Sequence, residues 1–336
     1  MLSRLYPIQR LQRILKRKKM RSFLVTSNVN LRYLTGVDCS AGCMVITPRY
    51  ADLYLDPRYH AAASGRSIPG VRIERIDALR ERLKNTGNIH IEGDLVTLTQ
   101  LSRWKKRYKN TKFVQTSGLI EELRRSKSVS ELSNVKRACS ITLSILKMMP
   151  RLLKSGMSER ELSMKIEALA LKLGAESMAF PTIVGFGENT AFPHHHPTER
   201  RLKRGDIVQI DLGVKVNGYC SDYSRVFFTT QPTKDQRTAL QALKKAKSAA
   251  EQLVRSGREN SALDLKAREV LATFGLENAF THALGHGVGL EIHEGLSISK
   301  KAKRKKLLRN EVITIEPGVY FPGKWGMRIE DTIVVV

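Results

Sequence analysis

The chain has 336 residues, of which 41% are hydrophobic and 27% are charged, a composition typical of a folded globular protein rather than a disordered one. Lysine and arginine outnumber aspartate and glutamate by 58 to 32, so the formal net charge is +26. The length favours two domains, and the lack of an apolar run of about 18 residues argues against a membrane span.

A positive charge of this size is typical of proteins that bind nucleic acids or other acidic surfaces. Here, however, the basic residues are spread along the chain, and aromatic residues make up only 6%, which leaves few platforms on which bases could stack. The densest basic run, residues 300–306, is interpreted as a solvated loop. We therefore predict neither a nucleic-acid nor a membrane partner.

The first twenty residues, MLSRLYPIQRLQRILKRKKM, lack the apolar core and the small-residue cleavage site of a secretory signal. Their leucines and isoleucines recur at helical spacing, which predicts a basic surface helix; a membrane-surface or targeting role is the alternative. Cys39, Cys43, Cys139 and Cys220 show no disulfide framework. A reduced, cytoplasmic protein is expected on that ground.

Residues 1–120 alternate short β-rich runs with helical stretches, which predicts an α/β domain. Strands are expected at residues 22–26, at VRIERI and at NIHIEG, and GCMVITPRYADLYLD is expected to form two strands around a turn at 47–50. The charged segment EELRRSKS lacks β-forming residues. Residues 121–128 are therefore predicted to be the linker to a second domain at 129–336.

Three patterns in the second domain predict helix starts, because a hydroxyl residue is followed three positions later by Glu or Gln. They begin at Ser128, Ser158 and Thr233. These helices are expected to run to about residue 154, to a glycine at 174 and to about residue 256, with a fourth helix at 262–275. The plan repeats after about 100 residues, as expected for an internal duplication.

The duplication aligns IVQIDLGV, residues 207–214, with VITIEPGV, residues 312–319. Asp211 then stands opposite Glu316, and each half carries a second acid on its next strand, Asp222 and Glu330. A carboxylate in such an apolar run is costly to bury unless it is paired or binds a cation. The four acids are predicted to converge if the halves pack about a pseudo-twofold axis.

The stretch HALGHGVG, residues 282–289, places two histidines four positions apart. Its three glycines argue against a helix, and we attribute them to close backbone approach and unusual dihedral angles. His286 is predicted to bind metal together with the four acids. Oxygen-rich ligation with one imidazole suits a pair of divalent ions such as Mn, Co, Fe or Zn, which could activate a bridging water.

These residues resemble the pita-bread metallopeptidase family, which includes aminopeptidase P, prolidase and methionine aminopeptidase. The resemblance covers nearly the whole chain, and its five motifs occur in family order: DLG at 211–213, YCSD–SR at 219–225, HALGHGVGLEIHE at 282–294, TIEPGVY at 314–320 and RIED at 328–331. YLTG and DPRY, at 33–36 and 56–59, are similar to the creatinase-type domain of Xaa-Pro enzymes. The implied fold is α+β, with a creatinase-like N-terminal α/β domain and a pseudo-twofold pita-bread catalytic domain.

The resemblance also implies roles for individual residues. The five metal ligands would be Asp211, Asp222, His286, Glu316 and Glu330. Glu316 would also shuttle a proton from the bridging water to the leaving nitrogen, and two ions per subunit, most simply Mn, would be bound. A homodimer is implied as well.

Four further residues are implied to act on the substrate or on the ligands. His194 and His293 would hydrogen-bond the scissile carbonyl or its tetrahedral intermediate. His282 would line the pocket for the residue after the cut bond, and Arg328 would hold a ligand carboxylate in the same pocket. His195 and His196, beside His194 in FPHHHPT, are interpreted as exposed loop residues.

The resulting hypothesis is a dinuclear metal-dependent aminopeptidase that hydrolyses the N-terminal Xaa-Pro bond by a metal-bridged hydroxide. The preference for proline rests on the resemblance alone. An Xaa-Pro dipeptidase (prolidase) is the first alternative, and a non-catalytic protein- or nucleic-acid-binding member of the fold is the second. A metal-free amidinohydrolase on the same fold would not need all five ligands.

Overall fold

The structure is a computed structural model that describes residues 6–65, 68–84 and 86–336. The chain forms two compact units, Met1–Arg124 and Arg125–Val336. The boundary between them falls inside the segment predicted as a linker. The first part of that segment is helical rather than extended, because a helix covers Leu119–Arg125.

The first unit is built on one six-stranded mixed sheet. Its strands are β1 (Phe23–Val25), β2 (Gly42–Ile46), β3 (Ala51–Leu55), β4 (Val71–Arg75), β5 (Gly87–Glu92) and β6 (Thr111–Thr116), in the order β4-β3-β2-β1-β5-β6. Its helices are α1 (Pro7–Arg17), α2 (Asn28–Thr35), α3 (Pro57–Ser64), α4 (Leu79–Lys84), α5 (Leu98–Arg107) and α6 (Leu119–Arg125). The α/β prediction is therefore confirmed for this unit.

Two local predictions for the first unit are confirmed and one strand was missed. The hydroxyl of Thr47 and its amide close the β2–β3 turn on Tyr50. In α1, Ile8, Leu11 and Leu15 form a buried apolar stripe, as the helical spacing indicated; residues 1–5 of the predicted helix lie outside the described residues. Strand β6, TKFVQT, was missed because only two of its six side chains are buried.

The second unit contains four long helices: α7 (Val129–Leu152), α8 (Glu159–Lys172), α9 (Lys234–Glu251) and α10 (Asn260–Ala272). All three predicted capping boxes are present, since the hydroxyls of Ser128, Ser158 and Thr233 accept from the third backbone amide of each helix. Gly174 follows α8 with φ +91°, as predicted. Helix α9 ends about five residues before the expected position, where the chain tightens into turns over Ala250 and Glu251.

Twelve strands complete this unit, in four sheets. They are β7 (Ser177–Met178), β8 (Ile183–Phe186), β9 (Ile207–Leu212), β10 (Val214–Val216), β11 (Tyr219–Cys220), β12 (Tyr223–Phe228), β13 (Gly285–Gly287), β14 (Glu294–Ile298), β15 (Val312–Ile315), β16 (Gly318–Phe321), β17 (Trp325–Arg328) and β18 (Asp331–Val334). The sheets have the orders β11-β10-β7, β12-β9-β8, β14-β13-β15-β18 and β16-β17.

The duplication is visible in the packing, because each half has its own hydrophobic core. In the first half, Ile145 of α7 and Ile166 of α8 pack with Val208 and Ile210 of β9. The second half packs α9 and α10 against β15 in the same way. The halves meet where the amide of Glu330 donates to the carbonyl of Ser224, at 3.1 Å.

Within the described residues, no helix combines the length and the apolar character that a membrane crossing requires.

Ser158→Ala is expected to destabilise the second unit by about 1 kcal/mol, because it removes the hydroxyl that caps α8. The measurement is the urea dependence of unfolding followed by circular dichroism. Ser144→Ala is the matched control: this hydroxyl is exposed in mid-helix and bonds only to the carbonyl of Ser140. It should change stability by less than about 0.5 kcal/mol, so equal losses in the two variants would contradict the assigned cap.

Candidate metal centre

The predicted acids lie where the central strands of the two halves end or begin. Asp211 is on β9 and Asp222 lies directly before β12; in the second half, Glu316 directly follows β15 and Glu330 directly precedes β18. His286 is the middle residue of β13, which pairs with β15. The strand plan therefore brings all five predicted ligands to one place.

Three of these residues form a compact set of potential metal donors. One ligand atom from each of Asp222, His286 and Glu330 lies within 4.8 Å of the others. His286 Nε2 is 3.6 Å from Asp222 Oδ2 and 3.5 Å from Glu316 Oε1. Asp211 adjoins the set, since its electric field raises the pKa of Asp222.

The acids are almost completely removed from water. Asp211, Asp222 and Glu330 are 6%, 5% and 1% exposed. Burial raises the pKa of Asp222 and of Glu330 above their ordinary values, and the neighbouring carboxylates raise both further. Burial also raises the pKa of Glu316 to about 8, against the opposing charge of Arg328. Without a cation, this cluster holds protons at neutral pH.

The hydrogen bonds of the cluster leave room for a cation. Glu330 Oε2 accepts from the hydroxyl of Ser224 at 3.1 Å, and Glu316 Oε1 accepts from Thr314 at 3.4 Å. Among the described residues, Asp211 Oδ1 and Glu330 Oε1 are buried with no hydrogen-bond partner. Unsatisfied buried acid oxygens are rare in native proteins, and divalent cations fit such a donor set.

Arg328 organises one side of the cluster. Its side chain is buried and donates to Asp211 Oδ2, to Ser224 Oγ at 3.0 Å and to the hydroxyl of Tyr320 at 2.7 Å. The guanidinium also donates to the carbonyl of Pro193 at 3.2 Å, so these hydrogen bonds fix its orientation. Arg328 thus contacts the carboxylate of Asp211, one of the predicted ligands, and it also lines the cavity.

The predicted histidines surround the acids. The ring of His293 lies 4.1 Å from that of His286, and His282 Nε2 is 3.1 Å from the Tyr320 hydroxyl. Burial lowers the pKa of His286 and of His282 to about 4, and lowers that of His293 as well. The charge of a protonated His194 would lower the pKa of His282 and of His293 further, which places it near both. Since their pKa values are lowered, the rings of His282, His286 and His293 are neutral at pH 7.

One prediction for this region was wrong. His195 was interpreted as an exposed loop residue, but its side chain is only 11% exposed, and its Nε2 is 2.8 Å from Glu159 Oε2. Glu159 is completely buried and also binds Phe186, Asn189 and Thr198. This contact has no local signal in the sequence, because the partners are 36 residues apart.

The glycines around His286 are explained by close packing rather than by backbone torsion. A Cβ on Gly285 would lie 2.1 Å from the carbonyl oxygen of Thr314, and one on Gly287 would lie 2.1 Å from that of Glu294. Neither residue has a positive φ. The predicted close approach is therefore confirmed, and the predicted unusual dihedral angles are not.

One cavity of about 620 Å³ contains the whole arrangement. Every predicted site residue lines it: His194, Asp211, Asp222, His282, His286, His293, Glu316, Arg328 and Glu330. Apolar side chains, including Phe180, Ile292 and Leu296, line the remainder. The cavity therefore joins an acidic floor, formed by the four carboxylates, to an apolar wall, a combination suited to holding a small polar substrate by an apolar part.

Comparison with known proteins identifies the family. The sequence model of metallopeptidase family M24 matches residues 133–336. The sequence model of the creatinase/prolidase N-terminal domain matches residues 7–126. The chain is 33% identical over 330 residues to an Xaa-Pro dipeptidase of Pyrococcus furiosus, covering 98% of this chain and 94% of the relative.

The chain belongs to metallopeptidase family M24.

Solved structures agree with this membership. An Xaa-Pro dipeptidase from Bacillus anthracis superposes with a TM-score of 0.93 at 30% identity, covering 98% of this chain and 94% of that one. An X-Pro aminopeptidase from Thermotoga maritima superposes with a TM-score of 0.88 at 29% identity, covering 97% and 95%. The two-domain fold, creatinase-like followed by pita-bread, is thus confirmed, and the chain is a metallopeptidase.

The titration of the cluster predicts how the metal-free protein responds to pH. Raised carboxyl pKa values mean that the folded state binds protons that the unfolded chain releases. Their contribution to stability is fully present below about pH 4 and is lost as the pH rises through the folded pKa, about 8 for Glu316. The histidines act oppositely: their contribution is present above pH 6.5 and is lost as the pH falls toward about 4.

Between pH 6.5 and 8 each of these histidines gains only its last contribution, about 0.4 kcal/mol, so the three raised carboxyl groups set the trend within the site. The chelator-treated protein should therefore become less stable over this range, by roughly 1–2 kcal/mol from Glu316 alone. Thermal unfolding at a series of pH values measures it. Glu316→Gln should give a shallower slope, as should saturation with Mn²⁺. A metal-free melting temperature that rises from pH 6.5 to 8 would refute the assignment.

Proposed function

We propose that this chain is a dinuclear metal-dependent aminopeptidase that removes the N-terminal residue from peptides with proline at the second position. The observation that carries the proposal is the buried carboxylate cluster around His286, with unsatisfied oxygens at Asp211 and Glu330. It forms the floor of a cavity with an apolar wall. The specificity for Xaa-Pro is supported by the names of the relatives.

The proposed metal ligands are the five residues whose side chains face the cavity floor: Asp211, Asp222, His286, Glu316 and Glu330. A neutral imidazole and ionised carboxylates are the donor set that Mn²⁺ accepts readily, and Co²⁺, Zn²⁺ or Fe²⁺ could replace it. When bound, two such ions would polarise the scissile carbonyl and lower the pKa of a water molecule toward neutrality.

Glu316 is the proposed proton carrier. Its Oε1 is held by the Thr314 hydroxyl at 3.4 Å and faces His286 Nε2 at 3.5 Å. It would accept the proton released by the attacking water and deliver it to the proline nitrogen as that nitrogen leaves. An Xaa-Pro amide nitrogen carries no hydrogen, so this delivered proton is the first one it acquires.

The histidines provide the remaining polar contacts. His293 and His194 line the cavity, and their ring N–H groups would donate hydrogen bonds to the carbonyl oxygen as it gains negative charge. His282 is fixed by the Tyr320 hydroxyl and by the carbonyl of Ala283 at 2.7 Å. It would face the residue after the cut bond, where apolar side chains of the wall suit a pyrrolidine ring.

Arg328 is assigned an indirect part. Since its donors are committed to Asp211, Ser224 and Tyr320, it would fix these groups against the charge changes of the reaction.

We further propose a homodimer, as the family resemblance implies, and a reducing, cytoplasmic location, which the four free cysteines support.

Two alternatives to the aminopeptidase function are an Xaa-Pro dipeptidase and a non-catalytic binding role. The Xaa-Pro dipeptidase function is favoured by the names of several relatives, including those of Pyrococcus furiosus and Bacillus anthracis. A dipeptidase requires the free carboxylate directly after proline, whereas an aminopeptidase accepts a continuing chain. A non-catalytic binding role is disfavoured, because all five candidate ligands are present and face one cavity.

Metal-stripped protein should hydrolyse neither Ala-Pro nor Ala-Pro-Ala, and Mn²⁺, Co²⁺ or Zn²⁺ should restore cleavage of the proline peptides over Ala-Ala-Ala. Released alanine is quantified by chromatography. A preference for Ala-Pro-Ala supports the aminopeptidase, and cleavage of Ala-Pro alone supports the dipeptidase. Absence of cleavage with every metal would leave the binding role as the better explanation.

Glu316→Gln should lower kcat by about 10²–10⁴-fold, because it removes the proton carrier and one ligand charge. Metal content, measured by elemental analysis, separates the two effects. His286→Ala is the comparison variant: it should lose bound metal as well as activity while leaving Glu316 in place. Full activity of Glu316→Gln would exclude the proposed proton transfer.

A further inference from the structure

The second unit contains a buried ion pair at the base of the cavity wall. Lys127 Nζ lies 2.9 Å from Glu294 Oε1, and the two side chains are 1% and 3% exposed. Lys127 precedes α7, and its amide donates to the carbonyl of Asn310 at 2.9 Å. The ammonium group therefore points inward from a segment that is fixed to the chain before β15.

Stability alone is a weak reason for such a pair. Replacing both members of a buried ion pair by neutral groups of similar size is often neutral or stabilising. What distinguishes this pair is the place of Glu294 in the chain. It directly follows His293, and it lines the cavity.

The carboxylate of Glu294 organises the turn that carries His293. Its Oε2 accepts from the amide of Glu291 at 3.3 Å, and its Oε1 occupies the space beside Gly289, where an added Cβ would lie only 2.0 Å away. The turn is closed by a bond from the amide of Gly289 to the carbonyl of Glu291, at 3.0 Å. The backbone thus wraps around the carboxylate.

The turn presents Ile292 and His293 to the cavity, with His293 4.1 Å from the ring of His286. Because the loop closes on a buried carboxylate, the position of that carboxylate sets where His293 points. Lys127 is the cation that fixes the carboxylate, and it lies outside the cavity lining.

We propose that Lys127 is a positioning residue, which acts through Glu294 to hold the Gly289–His293 turn so that the His293 ring meets the reacting carbonyl. This inference rests on the peptidase function proposed above. The segment directly before α7 would thus influence the reaction, although no atom of Lys127 touches the substrate.

The test is the double variant Lys127→Met/Glu294→Gln, since a single substitution would leave a buried charge unpaired. The variant should fold with a melting temperature near that of the unmodified protein. For Ala-Pro-Ala with Mn²⁺, kcat should fall about 10–100-fold, with a smaller change in KM. In the metal-free protein, the ring ¹⁵N resonances of His293 should shift, as measured by NMR of histidine-labelled samples.

Arg125→Met/Glu311→Gln is the matched control. Arg125 and Glu311 form a second buried pair on the same segment, joined at 2.6 and 3.0 Å, with side chains 4% and 1% exposed. Neither residue lines the cavity. This control should keep kcat within about threefold and leave the His293 resonances in place.

Unchanged kcat and unchanged His293 resonances in a folded Lys127→Met/Glu294→Gln variant would overturn the proposal. Equal losses in the control would also overturn it, because the effect would then belong to the whole segment. If the double variant does not fold, Lys127→Arg replaces it and should still shift the His293 resonances. An unmodified protein that cleaves no peptide would contradict the proposed function, whereas the metal-free NMR comparison would still decide this inference.

Discussion

The structure depends on one electrostatic constraint: four carboxylates must share a small volume from which water is almost excluded. Like charges at such distances repel strongly in a low-dielectric interior, and burial adds a desolvation cost to each ionised group. The protein compensates only part of this cost. Arg328 neutralises Asp211, while Ser224 and Thr314 contribute single hydrogen bonds to Glu330 and to Glu316. The remainder is left for protons or for cations, which is why this donor set is a candidate metal centre rather than a stabilising element of the fold.

The internal duplication explains how the chain can build such a site at all. Each half supplies one carboxylate at or just after a core strand and a second one directly before its neighbouring strand, and each half packs this unit on its own pair of helices. Stability therefore comes from two apolar cores that lie beside the acids. The acids are carried by strands that those cores hold rigid. Within the first half, the chain uses glycine directly after β9, since a Cβ on Gly213 would lie 1.9 Å from the carbonyl oxygen of Ser221.

The site was predictable from sequence where a charged residue stands inside an otherwise apolar stretch. Asp211 and Glu316 stand out because an acid inside a β-branched apolar run has few explanations, and the three helix starts stand out because capping is a local pattern. Other features have no local signature. The contacts of Tyr320 with Arg328, of His195 with Glu159 and of Lys127 with Glu294 join separate elements of the fold, and the last spans 167 residues. Strand β6 was missed for a different reason, because its alternation of buried and exposed side chains is incomplete.

Burial disfavours the charged form of the carboxylates and, for the same reason, favours the neutral form of the histidines. Desolvation raises the pKa of Asp222, Glu316 and Glu330 and lowers that of His282, His286 and His293, so the cavity favours neutral forms of both kinds of group. A neutral imidazole has the free lone pair that a metal needs, and its N–H can still donate a hydrogen bond to an oxyanion. The carboxyl groups must release their protons when a cation binds. After that they are ionised, and a carboxylate such as Glu316 can accept a proton during the reaction. Burial thus keeps the histidines neutral, the form that the site needs, before any metal binds. The acids reach their ionised form only when the metal binds.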